Sequence, residues 1–348
     1  MVSVILSENA TTETKFKYGL ELKKNMNAST PSSASQQKTL VRIQAAALNH
    51  RDIWILKGMY GGIKSGSVLG SDAVGYIVNT QERVLINPGY GWESDERGPE
   101  NDFYILGLLP LPGTLTEEPV LFDSKDIVPC PQHLSTVEAA ALPLAGLTAY
   151  RALFTKGLVK KGDYVLVTGI GGGVALFALQ FAVAVGAHVY VTSSSPEKIK
   201  RAIELGAKGG INYKDENCIA ELKKLLGKNL LSTVIDGAGG PLYKQFHKVM
   251  KEGGIIVNYG QTADTSGIHY MMSLVVKNIE LRGSTMGSRR EFKEMVKFVE
   301  EKKIKPIVSK VWNGLNSQSI DEAIATMSQG NQFGKLVIHF PQNDSPRL

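Results

Sequence analysis

Residues 164–195 carry the most regular arrangement of apolar and polar positions in the chain. An apolar run at 165–167, rich in β-branched residues, is followed by four glycines within 169–173. A stretch of helical length and spacing follows at 174–185, and a second apolar run at 188–191 completes the segment. The order strand, glycine turn, helix, strand predicts a βαβ unit. In such a unit the backbone N–H groups of the turn and the helix N-terminus face the pyrophosphate of a dinucleotide.

The spacing of the glycines departs from the strict G-x-G-x-x-G pattern. A motif that begins with Gly169 and Gly171 would need its third glycine at Val174. The related spacing G-x-x-G-x-x-[GA] is met by Gly169, Gly172 and Ala175, where small residues let the phosphate approach the backbone. A membrane helix is a second interpretation of this apolar run, but the clustered glycines disfavour it. A ligand-free α/β core is a third, although it would not need several glycines in one turn.

The end of the second strand indicates which dinucleotide is bound. In NAD-binding units an Asp or Glu at this point takes the ribose hydroxyls. Here the strand ends in Thr192-Ser193-Ser194-Ser195, and Lys198 follows in the next helix. Hydroxyl groups and a lysine suit the 2′-phosphate of NADPH, which needs hydrogen-bond donors and positive charge. We therefore expect NADPH rather than NADH, with the alternative that Lys198 is ordinary solvated helix surface.

The chain before residue 136 has a different pattern. Short alternating strands at 39–46, 68–78 and 82–87, with many turns and no βαβ period, predict a small β-rich domain. Polar segments rich in turn residues at 26–38 and 88–102 are expected to be loops, the second of them exposed.

From residue 136 onward helices and strands alternate, which predicts an α/β domain. Ser135 is expected to cap the first helix. The further predicted elements are a helix at 197–206, strands at 210–213, 233–236, 254–259 and 279–283, a helix at 291–303 and a strand at 334–338. Glycines follow two of these strands, at the edge where parallel sheets bind ligands. The predicted fold class is α/β, with a doubly wound parallel sheet domain beside a β-rich domain to which the closing strand returns.

Composition limits the functional classes. The 348 residues are 43% hydrophobic and 21% charged, which is ordinary for a globular protein of about two domains. The net charge of +6 suits attraction to a polyanionic cofactor, and nucleic acid is an unlikely partner because no basic run is interleaved with aromatic residues. The two cysteines give no disulfide framework, and we see neither a secretory signal nor a membrane span. We therefore expect a cytoplasmic protein.

Several landmarks in a fixed order carry a resemblance to a known family. They are Ala45 to Asp52, Leu69 to Gly75, Ala140 to Pro143 with Gly146 to Ala149, the TGIGGGVA turn at 168–175, Glu204 to Ala207 and Phe333 to Lys335. The chain resembles the medium-chain dehydrogenase/reductase superfamily over essentially its full length. The resemblance implies a GroES-like catalytic domain formed by residues 1–131 and 289–348, a Rossmann domain at 132–288, and a homodimer or tetramer.

The chain departs from the zinc alcohol dehydrogenases of that family. The positions that match their catalytic zinc ligands are Asn49, Ser71 and Leu144, none of which replaces a thiolate or imidazole. The loop that would carry a structural zinc, at 88–102, contains no cysteine. The chain therefore resembles the zinc-free branch, the quinone oxidoreductases and enone reductases, and we expect no metal.

Chemistry without zinc is restricted to good hydride acceptors, because zinc stabilises the alkoxide in alcohol oxidation. Quinones and α,β-unsaturated aldehydes or ketones qualify. Hydride from the nicotinamide passes to the quinone or to the enone β-carbon, and the resulting anion takes a proton from water or a nearby hydroxyl. The protein mainly binds, orients and excludes water.

The resemblance also implies roles for single residues. Asn49 and Thr148 would flank the nicotinamide, and Tyr60 would stack on a substrate or donate a proton, unless it is only a packing aromatic. The implied cofactor-binding set holds the pyrophosphate (Gly169, Gly171, Gly172, Gly173, Val174), meets the 2′-phosphate (Ser193, Ser194, Lys198, Tyr213), touches the ribose (Gly237, Gly260, Gln261) and closes over the cofactor (Asn331, Lys335).

Two functional alternatives stay open at this stage. One is a binding protein that uses the fold without turnover, as an NADPH-sensing or RNA-binding relative of the quinone reductases. The other is a metal-dependent alcohol dehydrogenase with unusual ligands. Asp52 is expected to be structural, and Cys130, which lies between two prolines, is expected to be an inert thiol.

Overall fold

The computed structural model describes residues 1–8, 16–24, 38–262 and 270–341, so most of the loop expected at 26–38 lies outside the described residues. The chain divides into two compact units. The first contains Met1–Leu144 and Ser288–Leu348, and the second contains Ala145–Gly287.

The first segment of the first unit is mainly β-structure. Its elements are β1 (Val2–Ser7), β2 (Gly19–Lys24), β3 (Lys38–Ala47), α1 (His50–Leu56), β4 (Asp72–Ile77), β5 (Arg83–Ile86), β6 (Gly89–Tyr90), β7 (Tyr104–Ile105), β8 (Val120–Asp123), β9 (Ile127–Pro129) and α2 (Thr136–Ala140). Ser135 caps α2, because its hydroxyl accepts the Glu138 N–H at 3.3 Å.

The second unit begins within α3. Its elements are α3 (Pro143–Tyr150), β10 (Tyr164–Val167), α4 (Gly173–Ala184), β11 (His188–Ser193), α5 (Pro196–Glu204), β12 (Gly209–Asn212), α6 (Cys218–Leu226), β13 (Leu231–Asp236), β14 (Met250–Asn258), α7 (Met272–Val276) and β15 (Glu280–Gly283). Among the described residues, six parallel strands form one sheet in the order β12-β11-β10-β13-β14-β15. The predicted doubly wound parallel sheet is confirmed, since the order reverses at β10.

The chain then returns to the first unit through α8 (Arg289–Lys302), β16 (Val308–Asn313), α9 (Ser317–Gln329) and β17 (Lys335–His339). β17 pairs antiparallel with β3, with Ile338 opposite Ala46. The main sheet of this unit has the order β16-β17-β3-β4-β5-β9, and β8 pairs with β3. The closing strand β17 therefore lies in the sheet of the first unit.

Two predictions for the first unit, a strand boundary and the exposure of a loop, differ from the structure. The strand expected at 68–78 begins only at Asp72, because Val68 and Leu69 pair with β1 instead, where the Leu69 N–H donates to the Val4 carbonyl at 3.1 Å. The loop at 88–102 is not wholly exposed, since Trp92 is buried and its carbonyl accepts the Arg289 N–H.

Over the part of the chain that the structure describes, no helix combines the length and apolar character needed to cross a membrane. The apolar helix α4 is 12 residues long, and its buried side chains, Phe177 and Phe181 among them, belong to the interior of the second unit.

Candidate functional site

The glycine turn lies at the carboxyl end of β10 and has the backbone geometry that glycine allows. Gly169 has φ +63° and Gly171 has φ +132°, values that side chains disfavour. The Gly169 N–H donates to the Thr192 hydroxyl at 3.0 Å, and the Ile170 N–H donates to the Thr192 carbonyl at 2.8 Å. The turn is therefore fixed against the neighbouring strand β11.

Helix α4 begins directly after this turn. Gly172 is its N-cap, Gly173 is its first residue, and its first turn contains no acidic side chain. The first N–H groups of a helix have no partner within the helix and carry the positive end of its dipole. A Cβ added to Gly172 would meet nothing within 4 Å, which leaves room above the turn for an anion. Gly173 and Val174 lie in this first turn, as a phosphate cradle requires.

The end of β11 is rich in hydroxyl groups. Ser193 is buried and its hydroxyl accepts the Ser195 N–H at 3.1 Å, whereas Ser194 is exposed. The Ser195 hydroxyl caps α5 by accepting the Lys198 N–H at 3.3 Å. Burial, together with the charge of Arg201, lowers the pKa of Lys198. Two cationic side chains one helical turn apart therefore lie beside this strand end.

A buried hydrogen-bond network holds the ends of β10, β13 and β14 together. Asp236 accepts a hydrogen bond from the Thr168 hydroxyl at 2.6 Å and another from Asn258 Nδ2 at 3.0 Å. The Gly237 N–H in turn donates to the Thr168 hydroxyl at 3.2 Å. An added Cβ at Gly237 would lie 2.3 Å from the Tyr259 ring, so a larger residue there would have to displace that ring. The network fixes the edge at which parallel sheets bind ligands.

Three further predicted residues of the second unit follow the carboxyl ends of strands of this sheet. Gly260 and Gln261 follow β14, and Tyr213, which follows β12, is 43% exposed. Thr148 lies in α3, where it is buried and its hydroxyl is 4.0 Å from the Met286 sulfur.

In the first unit, the start of α1 anchors a cluster of buried polar groups. The Asn49 N–H donates to Asp52 Oδ2 at 2.8 Å, as in a capping box, and Asn49 Nδ2 donates to Asp72 Oδ2 at 2.9 Å. Asp72 Oδ1 accepts the Leu144 N–H at 2.6 Å. Desolvation by burial raises the pKa of Asp52, although Arg51 and Lys335 lower it.

Lys335 is the first buried cation of this cluster. It was expected to close over a cofactor, but its side chain is only 5% exposed and pairs with Asp72 at 2.9 Å. The same ammonium group donates to the Leu48 carbonyl at 2.7 Å and to Asn49 Oδ1 at 2.6 Å. All three of its donors therefore serve the interior of the first unit. Asn331, by contrast, is exposed between α9 and β17.

Arg51 is the second buried cation of the cluster. Its Nη1 donates to the Ser71 hydroxyl and, at 2.7 Å, to the Leu106 carbonyl. Its Nε donates to the Tyr60 hydroxyl at 3.3 Å, and the guanidinium carbon lies 4.9 Å from the centre of the Tyr60 ring. Tyr60 itself is half-buried against the core of the unit.

Sequence patterns missed several of these residues. Arg51 and Asp72 stand inside quoted landmarks, but neither carried a predicted role in the site. The sequence did contain a hint, since Arg51 and Asp72 are charged residues within largely apolar segments. A charged side chain that is buried in such a segment needs a hydrogen-bonding or ionic partner. Asp236 and Thr168 were missed although both end predicted strands, because a buried polar network gives no periodic signal of its own.

Comparison with known proteins gives the family. The model "Alcohol dehydrogenase GroES-like domain" matches residues 35–132, and "Zinc-binding dehydrogenase" matches residues 173–301. The chain is 40% identical to the zinc-type alcohol dehydrogenase-like protein YogA of Leptosphaeria maculans, over 90% of this chain and 93% of that protein. It is 26% identical to an acryloyl-coenzyme A reductase of Sulfurisphaera tokodaii, over 87% of this chain and 92% of that one.

A solved structure extends the likeness to the fold. An NAD-dependent alcohol dehydrogenase superposes with a TM-score of 0.85 and 30% identity, covering 97% of this chain and 99% of its own. The GroES-like model matches the β-rich first unit, and the dehydrogenase model matches most of the parallel-sheet unit. The solved structure covers both units. The chain belongs to the medium-chain dehydrogenase/reductase superfamily, a superfamily of oxidoreductases.

Proposed function

We propose that this protein is a zinc-independent reductase that uses NADPH to reduce a quinone or an α,β-unsaturated carbonyl compound. The observation that carries the proposal is the buried cluster around Lys335 and Arg51. The cluster includes Asn49 and Ser71, which are two of the three positions that match the catalytic zinc ligands of zinc-dependent relatives.

The residues at those positions do not fit zinc. Asn49 Oδ1 accepts a hydrogen bond from the Lys335 ammonium at 2.6 Å, the Ser71 hydroxyl accepts one from Arg51, and Leu144 offers no side-chain donor atom. Zinc prefers thiolate, imidazole and carboxylate ligands. Two fixed cations beside the oxygen atoms also oppose a third, divalent one. Within the described ranges, no three His, Cys, Asp or Glu residues lie together as a metal site requires.

Several features support a nicotinamide cofactor with a 2′-phosphate. When bound, NADPH supplies the hydride. The N–H groups at the start of α4 would hold its pyrophosphate, and the room above Gly172 would admit it. Ser194, Lys198 and Tyr213 would meet the 2′-phosphate, since β11 ends without an acidic residue. Gly237, Gly260 and Gln261 would border the ribose.

The substrate class follows from the chemistry that the side chains offer. Without a Lewis acid, an acceptor must take hydride readily. The acryloyl-coenzyme A reductase relative is named for an α,β-unsaturated substrate, which supports this class. Asn49, Thr148 and Tyr60 would orient the acceptor and the nicotinamide, and the Tyr60 hydroxyl is a candidate proton donor.

The first experiment measures oxidation of NADPH and, separately, of NADH by chelator-treated protein whose metal content has been determined. The acceptors are phenanthrenequinone and an alkenal. NADPH-dependent turnover that survives chelation is expected, and the better acceptor indicates the subclass of reductase. Stoichiometric zinc that is needed for activity would overturn the proposal in favour of a zinc-dependent dehydrogenase. Tight NADPH binding without turnover would favour a binding protein.

We also propose a homodimer in the cytoplasm. The strand β15 is the last of its sheet and is paired on one side with β14. Nearby apolar side chains are exposed, including Met272 at 72% and Val276 at 73%. An edge strand with exposed apolar neighbours favours pairing with a second copy. Light scattering would give the mass in solution. The free thiols of Cys130 and Cys218 suit a reducing compartment.

A further inference from the structure

We propose that Arg51 is a positioning residue that holds Tyr60 as the proton donor of the reduction. The inference rests on the proposed function and deepens it, because it assigns the proton that completes an enone reduction. It also explains why a buried arginine stands beside a half-buried tyrosine.

The position of Arg51 is fixed from within the first unit. The residue is 8% exposed, and its Nη1 is held by the Ser71 hydroxyl and the Leu106 carbonyl. Ser71 also donates to the same carbonyl at 2.9 Å, so both partners are themselves restrained. A guanidinium group is planar, and fixing one nitrogen fixes the direction of the others. Nε is thereby aimed at the Tyr60 hydroxyl, 3.3 Å away.

This contact determines how Tyr60 can act. Because the phenolic oxygen accepts the Arg51 N–H, its own hydrogen points away from Arg51 and remains available to donate. The guanidinium also lies over the ring, 4.9 Å from its centre. The positive charge of Arg51 therefore lies beside the oxygen on which the electron pair would remain after the proton has left.

The chemical step balances with the proposed acceptor. Hydride addition to the β-carbon leaves an enolate. The Tyr60 O–H bond breaks, its proton forms the new C–H bond at the α-carbon, and the electron pair stays on the phenolic oxygen beside Arg51. Water then returns a proton to Tyr60. A donor held on one side of the substrate delivers its proton to one face only.

The experiment uses the full-length protein, NADPH and a cyclohexenone methylated at its α-carbon. Protonation creates a stereocentre, whose enantiomeric ratio is measured at early times together with kcat and the KM for NADPH. The variants are Tyr60→Phe, Arg51→Met, Arg51→Lys and the double variant Arg51→Met/Tyr60→Phe. Lys57→Met is the matched control, because Lys57 lies at the end of the same helix and over Trp54, at 5.6 Å. Arg51→Lys keeps a charge in case Arg51→Met fails to fold.

The expected result is a selective wild type and a loss of selectivity in Tyr60→Phe and Arg51→Met. Both should lower kcat by about tenfold or more with little change in the KM for NADPH, and the double variant should be no worse than either. Arg51→Lys should be intermediate, and Lys57→Met should match the wild type.

Other results would overturn the inference in distinguishable ways. If Arg51→Met and Arg51→Lys keep the wild-type enantiomeric ratio while Tyr60→Phe loses it, Arg51 does not position the donor. If Tyr60→Phe also keeps it, Tyr60 is not the donor. A wild type that reduces quinones but not the enone overturns this inference and leaves the reductase proposal intact. A wild type without any turnover is a failure of the proposed function itself.

Discussion

Replacing Lys335 tests how strongly the buried cluster stabilises the first unit. In Lys335→Met the aliphatic part of the side chain is roughly preserved, but three oxygens lose the hydrogen bond from the ammonium group: the Leu48 carbonyl, Asn49 Oδ1 and Asp72 Oδ2, at 2.7, 2.6 and 2.9 Å. Asp72 Oδ2 keeps the hydrogen bond from Asn49 Nδ2 but loses its counter-charge. The Asp72 side chain is 0% exposed, so its carboxylate cannot be solvated in place. Removing one partner of a buried ion pair costs about 3–5 kcal/mol. We expect a loss of that size in the free energy of unfolding.

The assay can be made specific for this unit. All three tryptophans, Trp54, Trp92 and Trp312, lie in the first unit, so tryptophan fluorescence follows its unfolding. At about 2–4 °C per kcal/mol, the transition should fall by roughly 6–20 °C. The control is Lys297→Met, whose pair with Glu301 is 3.8 Å long and 77% and 58% exposed, and it should cost less than about 1 kcal/mol.

A double variant completes the test. In Lys335→Met/Asp72→Asn no charge is left uncompensated, so the loss should be smaller than the sum of the two single losses. A loss in Lys335→Met of under about 1 kcal/mol, equal to that of the exposed control, would refute the argument from buried charge.

Three further predictions concern the second unit and the thiol. Ser194→Asp should shift the ratio of kcat/KM for NADPH to that for NADH toward NADH by about tenfold, since a carboxylate repels the 2′-phosphate, and an unchanged ratio would remove Ser194 from that site. Gly172→Ala should weaken NADPH binding without loss of stability, because its Cβ would meet no protein atom within 4 Å. Gly237→Ala should lower the free energy of unfolding, measured in urea, by about 1–3 kcal/mol, because its Cβ would lie 2.3 Å from the Tyr259 ring. Equal stability of the two variants would contradict this reasoning. Burial raises the pKa of Cys130 from 9.0 to about 11, so the folded state favours the neutral thiol and stability should fall as the pH rises from 9 to 11. Cys130→Ala should reduce this loss of stability between pH 9 and 11. A variant with the same dependence of stability on pH as the wild type would show that the Cys130 thiol is not its cause.

Local sequence determined much of the second unit, Ala145–Gly287. The βαβ unit was predictable because a parallel strand buried on both faces is a continuous apolar run, and because the turn conformations at Gly169 and Gly171 select glycine. Such signals come from residues that are neighbours in the chain. The Ser195 cap of α5 and the hydroxyl-rich strand end belong to the same class of local feature.

Only the tertiary structure decided the charged cluster of the first unit. Lys335 meets Asp72 across 263 positions of sequence, and Arg51 meets the Leu106 carbonyl across 55. No periodicity relates such residues, and each one alone resembles an ordinary surface charge. Their partners are fixed by the pairing of β17 with β3 and of β3 with β4, which brings the ends of those strands together. The sequence showed that the usual zinc ligands are absent from positions 49, 71 and 144. It did not show that Lys335 and Arg51 bond the side chains at two of those positions. That depends on burial, because a buried charge needs a partner and only the fold decides which groups are near it.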